Sequence, residues 1–157
     1  MRFVLAALAV LIVTTTLASG QDRAVNVVDV EGVIDPVVAR FIQAEIDAAE
    51  EMGAEAVIIR MDTPGGLDLS MRTIIKKILN SPVPIITYVS PSGARAASAG
   101  VFITLSSHLS AMAPGTNIGA AHPVSLGGDS SEEIEKKAVN DAAAYIRSIA
   151  KRRGRDV

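Results

Sequence analysis

Residues 56–66 read AVIIRMDTPGG, and this stretch decides the fold class that the sequence predicts. It opens with four apolar residues in a row, which is typical of a strand buried on both faces of a sheet. The turn Thr63-Pro64-Gly65-Gly66 ends the strand, because proline and glycine interrupt regular structure. A buried strand of this kind predicts a parallel sheet with helices between its strands.

Similar apolar runs lie on both sides of this stretch. They predict further strands at residues 24–30, 85–89 and 109–113. The segments between them carry apolar residues at helical spacing. Alternating strands and helices favour an α/β fold with a parallel sheet and right-handed crossovers.

The predicted helices have recognisable ends. Asp35 opens the first helix and Gly53 stops it, whereas Asp68 caps the second. Residues 96–105, which are small and apolar, predict a buried helix. Residues 132–153 predict a last helix with one apolar face.

The first twenty residues have the layout of a secretory signal peptide, with a positive start, an apolar run and then small residues. The apolar run is short for a membrane span, which needs about 20 residues. We therefore expect export with cleavage, and an uncleaved N-terminal anchor is the alternative. Residues 21–157 are long enough for one modest domain with its own core.

The composition argues against several classes of function. The chain has no cysteine, which excludes disulfides, thiol nucleophiles and cysteine metal sites. A net charge of −2 and 3% aromatic residues argue against binding to nucleic acid. No histidines and carboxylates have metal-ligand spacing, so we expect neither a metal nor a cofactor. The basic cluster at residues 151–155 is interpreted as a solvated helix end.

Ser98 is the candidate nucleophile. It lies in GARAASAG, residues 93–100, after a predicted strand and before a predicted helix. At a helix N-terminus, the anion that forms during attack would be stabilised by the helix dipole. The alternative is a small residue in a tightly packed helix, and a serine among alanines favours that alternative when taken alone.

Three backbone amides are candidates for an oxyanion hole. Gly65 and Gly66 follow a buried strand and carry no side chain that would block their N–H groups. Ala99 follows the candidate nucleophile, a position that commonly supplies a donor. The alternative for the two glycines is an ordinary turn between a strand and a helix, with Asp62 either holding that turn together or orienting a base.

Two residues are candidates for the general base. Lys137 lies on the shoulder of the predicted apolar stripe of the last helix, and a partly desolvated lysine has a lowered pKa. A lysine lying in solvent along the helix is the simpler alternative. His122 is the rival, because histidine titrates near neutral pH, whereas His108 is interpreted as a residue at a helix end. The predicted stripe comprises Ile134, Ala138, Ala142, Tyr145 and Ile149.

Three motifs in order resemble a known family. They are RMDTPGG at residues 60–66, AASAG at residues 96–100 and MAPGTNIGAAHP at residues 112–123. This pattern is similar to that of the NfeD proteins, membrane-bound serine proteases of the ClpP class that are encoded beside stomatin-like proteins. The resemblance covers residues 25–157.

The resemblance implies a fold and a set of site residues. The fold is the ClpP/crotonase-like β-β-α superhelix, expected to be incomplete at the C-terminus because full-length NfeD proteins continue further. The family nucleophile falls on Ser98 and its lysine on Lys137. His122 follows Ser98 at a spacing similar to that of the histidine base in ClpP itself. Gly65 or Gly66, together with Ala99, matches the oxyanion hole.

The resemblance also implies a function. It implies a Ser/Lys endopeptidase that cleaves apolar-rich peptide segments, with a stomatin-like membrane protein as its partner. Membrane association, a homo-oligomer and a location on the extracytoplasmic face of the membrane are expected with it. One alternative is an inactive scaffold that binds the stomatin-like partner. Another is a crotonase-like enzyme acting on an acyl thioester, which export and the lack of a phosphate-binding signature disfavour.

Overall fold

The computed structural model describes residues 24–123 and 131–156. The predicted leader, residues 1–20, and residues 124–130 lie outside these ranges. The elements in chain order are β1 (Val25–Glu31), α1 (Pro36–Met52), β2 (Ala56–Asp62), α2 (Asp68–Asn80), β3 (Ile85–Val89), β4 (Arg95–Ala97), α3 (Ala99–Ser106), β5 (Leu109–Met112), β6 (Asn117–Gly119) and α4 (Glu132–Arg152).

The main sheet has four parallel strands in the order β1-β2-β3-β5. A second, smaller parallel sheet joins β4 to β6. The predicted parallel α/β architecture is therefore confirmed. None of the helices among the described residues has both the length and the hydropathy that crossing a bilayer requires.

The core lies on one face of the main sheet. Alternate side chains of β2, namely Val57, Ile59 and Met61, are fully buried in one cluster with the inward residues of the helices. On the other face Arg60 is exposed and pairs with Asp29 at 2.5 Å. The expectation of a strand buried on both faces is therefore wrong, because the described elements cover only one side of the sheet.

The first helix has the predicted ends, and the second begins differently. The Asp35 carboxylate accepts hydrogen bonds from the first-turn amides of α1, at 2.8 Å each, and Gly53 ends the helix with a positive φ of 66°. Asp68 does not cap α2. The cap position belongs to Leu67, whose N–H is bonded to Ile34 O, and Asp68 pairs instead with Arg72 one turn further on.

The sequence did not predict the small sheet. Residues 96 and 97 are predicted as helix, but they belong to β4, and no strand is predicted at β6. Each of these strands has three residues, which is too short for an alternating pattern to be seen. Their pairing places Ala97 beside Gly119, just before Ser98.

The last helix packs against the rest of the protein through its C-terminal half, where Tyr145 stacks on Phe102. Ile149 and Ala150 are its buried residues, whereas Ile134 of the predicted stripe is 57% exposed. Its basic end is not simply solvated. Arg153 donates through Nε to Ser106 O at 2.5 Å and through Nη2 to Ile78 O at 3.1 Å. This arginine therefore satisfies carbonyls at the ends of α2 and α3, which a helix leaves without partners.

His108 fastens the start of β3 to the chain that leads into β5. Its Nδ1 accepts a hydrogen bond from Ile85 N–H at 3.0 Å, and its own N–H donates to Ile85 O at 2.8 Å. The predicted role at a helix end is therefore replaced by a link between strands. Burial lowers the pKa of His108, and the positive charge of Arg153 acts in the same direction.

The depressed pKa of His108 predicts a loss of stability in acid. The unfolded chain binds this proton at a pH where the folded protein does not, so the free energy of unfolding rises with pH in that interval. The contribution is complete above the unfolded pKa of about 6.5 and is lost as the pH falls through the folded pKa. Urea unfolding between pH 7.5 and 5 should show a shallower acid slope for His108→Asn, which keeps an acceptor but cannot titrate. Equal acid slopes for the wild-type protein and His108→Asn would contradict the prediction.

Candidate active site

Ser98 lies at the junction between β4 and α3 in an unusual backbone conformation. Its φ is 50° and its ψ is −113°, a region that residues other than glycine seldom adopt. Its N–H donates to Gly119 O at 2.9 Å, and its carbonyl accepts from Val101 N–H at 3.0 Å. The Ser98 side chain makes no capping hydrogen bond. Residues held in rarely populated backbone conformations cluster at functional sites.

The double-glycine turn lies against Ser98. A Cβ atom added at Gly65 would come within 2.6 Å of Ser98 Cβ and 3.1 Å of Ser98 Oγ. Gly65 also has a φ of 110°, which disfavours any other residue there. The structure therefore brings together the candidate nucleophile and the turn, although Ser98 follows Gly66 by 32 positions in the sequence.

The two glycine amides are not equivalent. Gly65 is buried, and its N–H donates to Thr63 Oγ1 at 3.0 Å. Gly66 is exposed, and its N–H has no acceptor among the described residues. The Gly65 amide therefore already has an acceptor. Of the two predicted glycine donors, Gly66 is the one whose amide has no acceptor among the described residues.

Ala99 supplies the second free amide. It is the first residue of α3, and the first N–H groups of a helix have no acceptor within that helix. The positive end of the α3 dipole lies at the same place. Gly66 and Ala99 are therefore the two candidate oxyanion amides that have no acceptor among the described residues.

The structure does not bring either candidate base to Ser98. Lys137 is 73% exposed in its side chain, and its Nζ pairs with Glu133 at 2.7 Å along the same helix. His122 is exposed, at the end of the first described range. Among the described residues, neither side chain is hydrogen-bonded to Ser98. The partly desolvated environment proposed for Lys137 is therefore not seen in this single chain. The position of Lys137 matches the alternative, a lysine that lies in solvent along the helix.

Asp62 holds the turn in place. Its Oδ1 accepts from Arg95 N–H at 3.0 Å, and its carbonyl accepts from Gly32 N–H at 2.9 Å. These bonds fasten the residue before the turn to Arg95 and Gly32, and among the described residues Asp62 makes no hydrogen bond to a candidate base. Within the described ranges, no group of three or more histidine and carboxylate side chains is placed to hold a metal ion.

The fold belongs to a known class. ClpP1 from Listeria monocytogenes superimposes with a TM-score of 0.63 and 21% identity, over 83% of this chain and 74% of that chain. The chain therefore has a ClpP-like α/β fold. The family model for the N-terminal domain of NfeD1b matches residues 24–157, and the chain belongs to this family.

Closer relatives carry names that describe a protease. The chain is 50% identical to membrane-bound protease PH1510 of Pyrococcus horikoshii over 114 residues, which is 71% of this chain and 26% of the relative. It therefore spans about a quarter of the length of this curated relative.

Solved structures of the 1510-N membrane-bound stomatin-specific protease are similar as well. A serine-to-alanine variant has a TM-score of 0.76 and 41% identity, over 85% of this chain and 66% of that chain. A lysine-to-alanine variant in complex with a substrate peptide has a TM-score of 0.74 and 42% identity, over 82% of this chain and 60% of that chain.

Proposed function

We propose that the chain is the protease domain of a serine endopeptidase in which Ser98 is the nucleophile. The observation that carries the proposal is the strained Ser98 backbone, held against a glycine turn with two free amides beside it. Membership in the NfeD1b family and the protease names of the relatives support it.

The chemistry follows from these groups. Ser98 Oγ attacks a peptide carbonyl as its proton passes to a base, and the carbonyl oxygen becomes an anion. The N–H groups of Gly66 and Ala99 donate to that anion, and the α3 dipole stabilises it. The base then protonates the leaving amine, and water releases the acyl group from Ser98.

Lys137 is proposed as the base, with His122 as the alternative. For Lys137 to accept the proton, its Nζ must be neutral, must leave Glu133 and must approach Ser98 Oγ. Loss of contact with water favours the neutral form of a lysine. The lysine-to-alanine variant of the 1510-N protease, solved with a substrate peptide, supports the choice of a lysine.

The proposed substrates are apolar peptide segments of a membrane protein similar to stomatin. The stomatin-specific name of the 1510-N protease supports this partner. Two partly exposed apolar residues adjoin the site, namely Leu67 after the Gly66 donor and Ile118 before the Gly119 acceptor, at 39% and 40% exposure. We further propose export through residues 1–20, membrane association on the extracytoplasmic face and assembly as a homo-oligomer.

The choice of base is tested by replacing each candidate with alanine. We expect Lys137→Ala to lose on the order of 10²–10⁴ in kcat, which is the usual contribution of a general base, and His122→Ala to keep its activity. The assay is cleavage of an apolar-rich fluorogenic peptide, with labelling of Ser98 by a fluorophosphonate followed by mass spectrometry. Lys136→Ala is the matched control, because it removes a neighbouring lysine of the same helix.

Each outcome separates the proposals. Loss in His122→Ala with activity kept in Lys137→Ala would assign the base to the histidine. Equal loss in Lys136→Ala and Lys137→Ala would contradict a specific role for either lysine. A folded wild-type protein that neither cleaves peptide nor reacts with the fluorophosphonate would overturn the peptidase proposal.

An inactive scaffold is the second candidate function. It is favoured by one observation, the lack of a described hydrogen bond between Ser98 and either base. In that case the protein should bind a stomatin-like membrane protein in vesicles without cleaving it, and Ser98→Ala should bind equally well. Cleavage of the bound partner by the wild-type protein would contradict the scaffold.

A further inference from the structure

Thr63 is a buried polar residue that contacts the candidate site but takes no part in the proposed chemistry. Its exposure is 0%. Its Oγ1 donates to Gly32 O at 2.6 Å and accepts from Gly65 N–H at 3.0 Å, with Gly65 O at 3.3 Å. A hydroxyl has one hydrogen, and with that hydrogen on the near carbonyl of Gly32 the oxygen lone pairs remain for the Gly65 amide.

The rest of Thr63 contacts the two segments that flank Ser98. Its N–H donates to Arg95 O at 2.7 Å, and its carbonyl accepts from Ala97 N–H at 3.0 Å, so the backbone is bonded to β4. Its methyl group packs against the first turn of α3, since a Cβ added at Gly100 would lie 2.7 Å from Thr63 Cγ2. One residue thus joins the end of β1, the glycine turn, β4 and α3.

We propose that Thr63 is a positioning residue for the oxyanion hole. Its hydroxyl binds the amide of Gly65, which fixes the turn with that amide directed into the protein. The next residue, Gly66, is exposed, and its amide has no acceptor in the part of the chain that the structure describes. The inference rests on the proposed function, because the orientation of Gly66 affects the rate only if Ser98 reacts with a carbonyl.

The hydroxyl and the methyl group of Thr63 can be separated by mutation. Thr63→Val keeps the shape and the contact with Gly100 but removes the partner of the Gly65 amide. Thr63→Ser keeps the hydroxyl and removes the methyl group. A positioning role through the hydroxyl predicts that only the valine variant is defective in catalysis, whereas a purely structural role predicts that both variants lose activity in proportion to their stability.

Steady-state kinetics provide the first test. We expect Thr63→Val to lower kcat by roughly 10- to 10³-fold, because a displaced oxyanion donor affects the transition state, with KM changed by less than about threefold. Thr63→Ser should retain kcat within about threefold even where its melting temperature is lower. A loss in the serine variant as large as that in the valine variant would overturn the proposal.

Amide hydrogen exchange tests the same inference without any catalytic assay. By NMR, the Gly65 amide should be protected in the wild-type protein and in Thr63→Ser, and should exchange at least about tenfold faster in Thr63→Val. Equal Gly65 exchange in wild type and Thr63→Val would overturn the positioning role. If the wild-type protein proves inactive while the exchange pattern holds, the peptidase proposal fails and the control of the turn by Thr63 stands.

Discussion

Ser98→Ala should abolish peptide cleavage and fluorophosphonate labelling, with a loss on the order of 10⁶ in kcat, as expected when a serine protease loses its nucleophile. The same substitution should leave the free energy of unfolding within about 0.5 kcal/mol of wild type, because the Ser98 side chain makes no capping hydrogen bond and alanine keeps the same backbone strain. Urea unfolding monitored by circular dichroism, together with the cleavage assay, measures both quantities.

Ser98→Gly is the informative partner of that variant. A residue held at a rare positive φ costs about 1–3 kcal/mol, and glycine removes that cost while losing about 0.5–1 kcal/mol to the entropy of the unfolded chain. We therefore expect the glycine variant to be inactive and more stable by about 1 kcal/mol, which raises the melting temperature by roughly 3–5 °C.

The comparison tests whether strain at Ser98 is kept for function. A protein that gains stability when it loses its nucleophile holds that residue in place against a local cost. A glycine variant less stable than the alanine variant by about 0.5–1 kcal/mol would mean that the backbone at Ser98 is unstrained, because only the entropy loss of glycine would then remain. Activity retained in Ser98→Ala would contradict the assignment of the nucleophile outright.

The sequence predicts well where the signal is local. Asp35 and Gly53 mark the ends of α1 through their own backbone and side-chain chemistry, and both predictions are confirmed. The strands of the main sheet follow from runs of apolar residues. The patterns that predict these features each span only a few consecutive residues, so a single sequence shows them.

The sequence predicts poorly where the signal depends on partners distant in the chain. The strands β4 and β6 pair across some twenty residues and have no periodicity of their own. Aspartate is a residue type that commonly caps helices, yet Asp68 does not cap α2. The cap position belongs to Leu67, whose N–H donates to Ile34 O.

The candidate site shows the same division. Ser98 and the glycine turn were both identified from the sequence, since small residues after a strand are visible in any single chain. The difference between the amides of Gly65 and Gly66 was not, because it depends on the buried hydroxyl of Thr63. In the sequence that threonine was interpreted only as part of a turn. The threonine of the TPGG motif therefore matters as well as the glycines, because its hydroxyl binds the Gly65 amide.

The glycine turn gives the second prediction with a large effect. Gly66→Ala should destabilise the protein by at least about 3 kcal/mol, because overpacking against a backbone that cannot move aside lies at the high end of such costs. The added Cβ would lie 2.1 Å from Ile34 O, inside the bridge that links the segment after β1 to the turn. Gly119→Ala, at a residue near Ser98 with nothing within 4 Å of an added Cβ, should change the stability by less than about 0.5 kcal/mol.

Gly65→Ala should affect catalysis through Ser98 itself. Its Cβ would meet Ser98 Cβ at 2.6 Å, so either the serine or the turn must shift. We expect the rate of fluorophosphonate labelling to fall by at least roughly 10²-fold, comparable to the loss of an oxyanion donor. Gly32→Ala is the control for the cost of a positive φ alone, since Gly32 has a similar φ of 96° but open space around it.

Gly65→Ala and Gly32→Ala should therefore separate the effect of backbone strain from the effect of the contact with Ser98. Both place alanine at a positive φ and should lose about 1–2 kcal/mol of stability for that reason, but only Gly65→Ala displaces Ser98. Labelling that is equally fast in both variants, measured at a urea concentration where each is fully folded, would show that the turn does not position the nucleophile. Slow labelling confined to Gly65→Ala would mean that the contact between this glycine and Ser98 sets the geometry of the reaction.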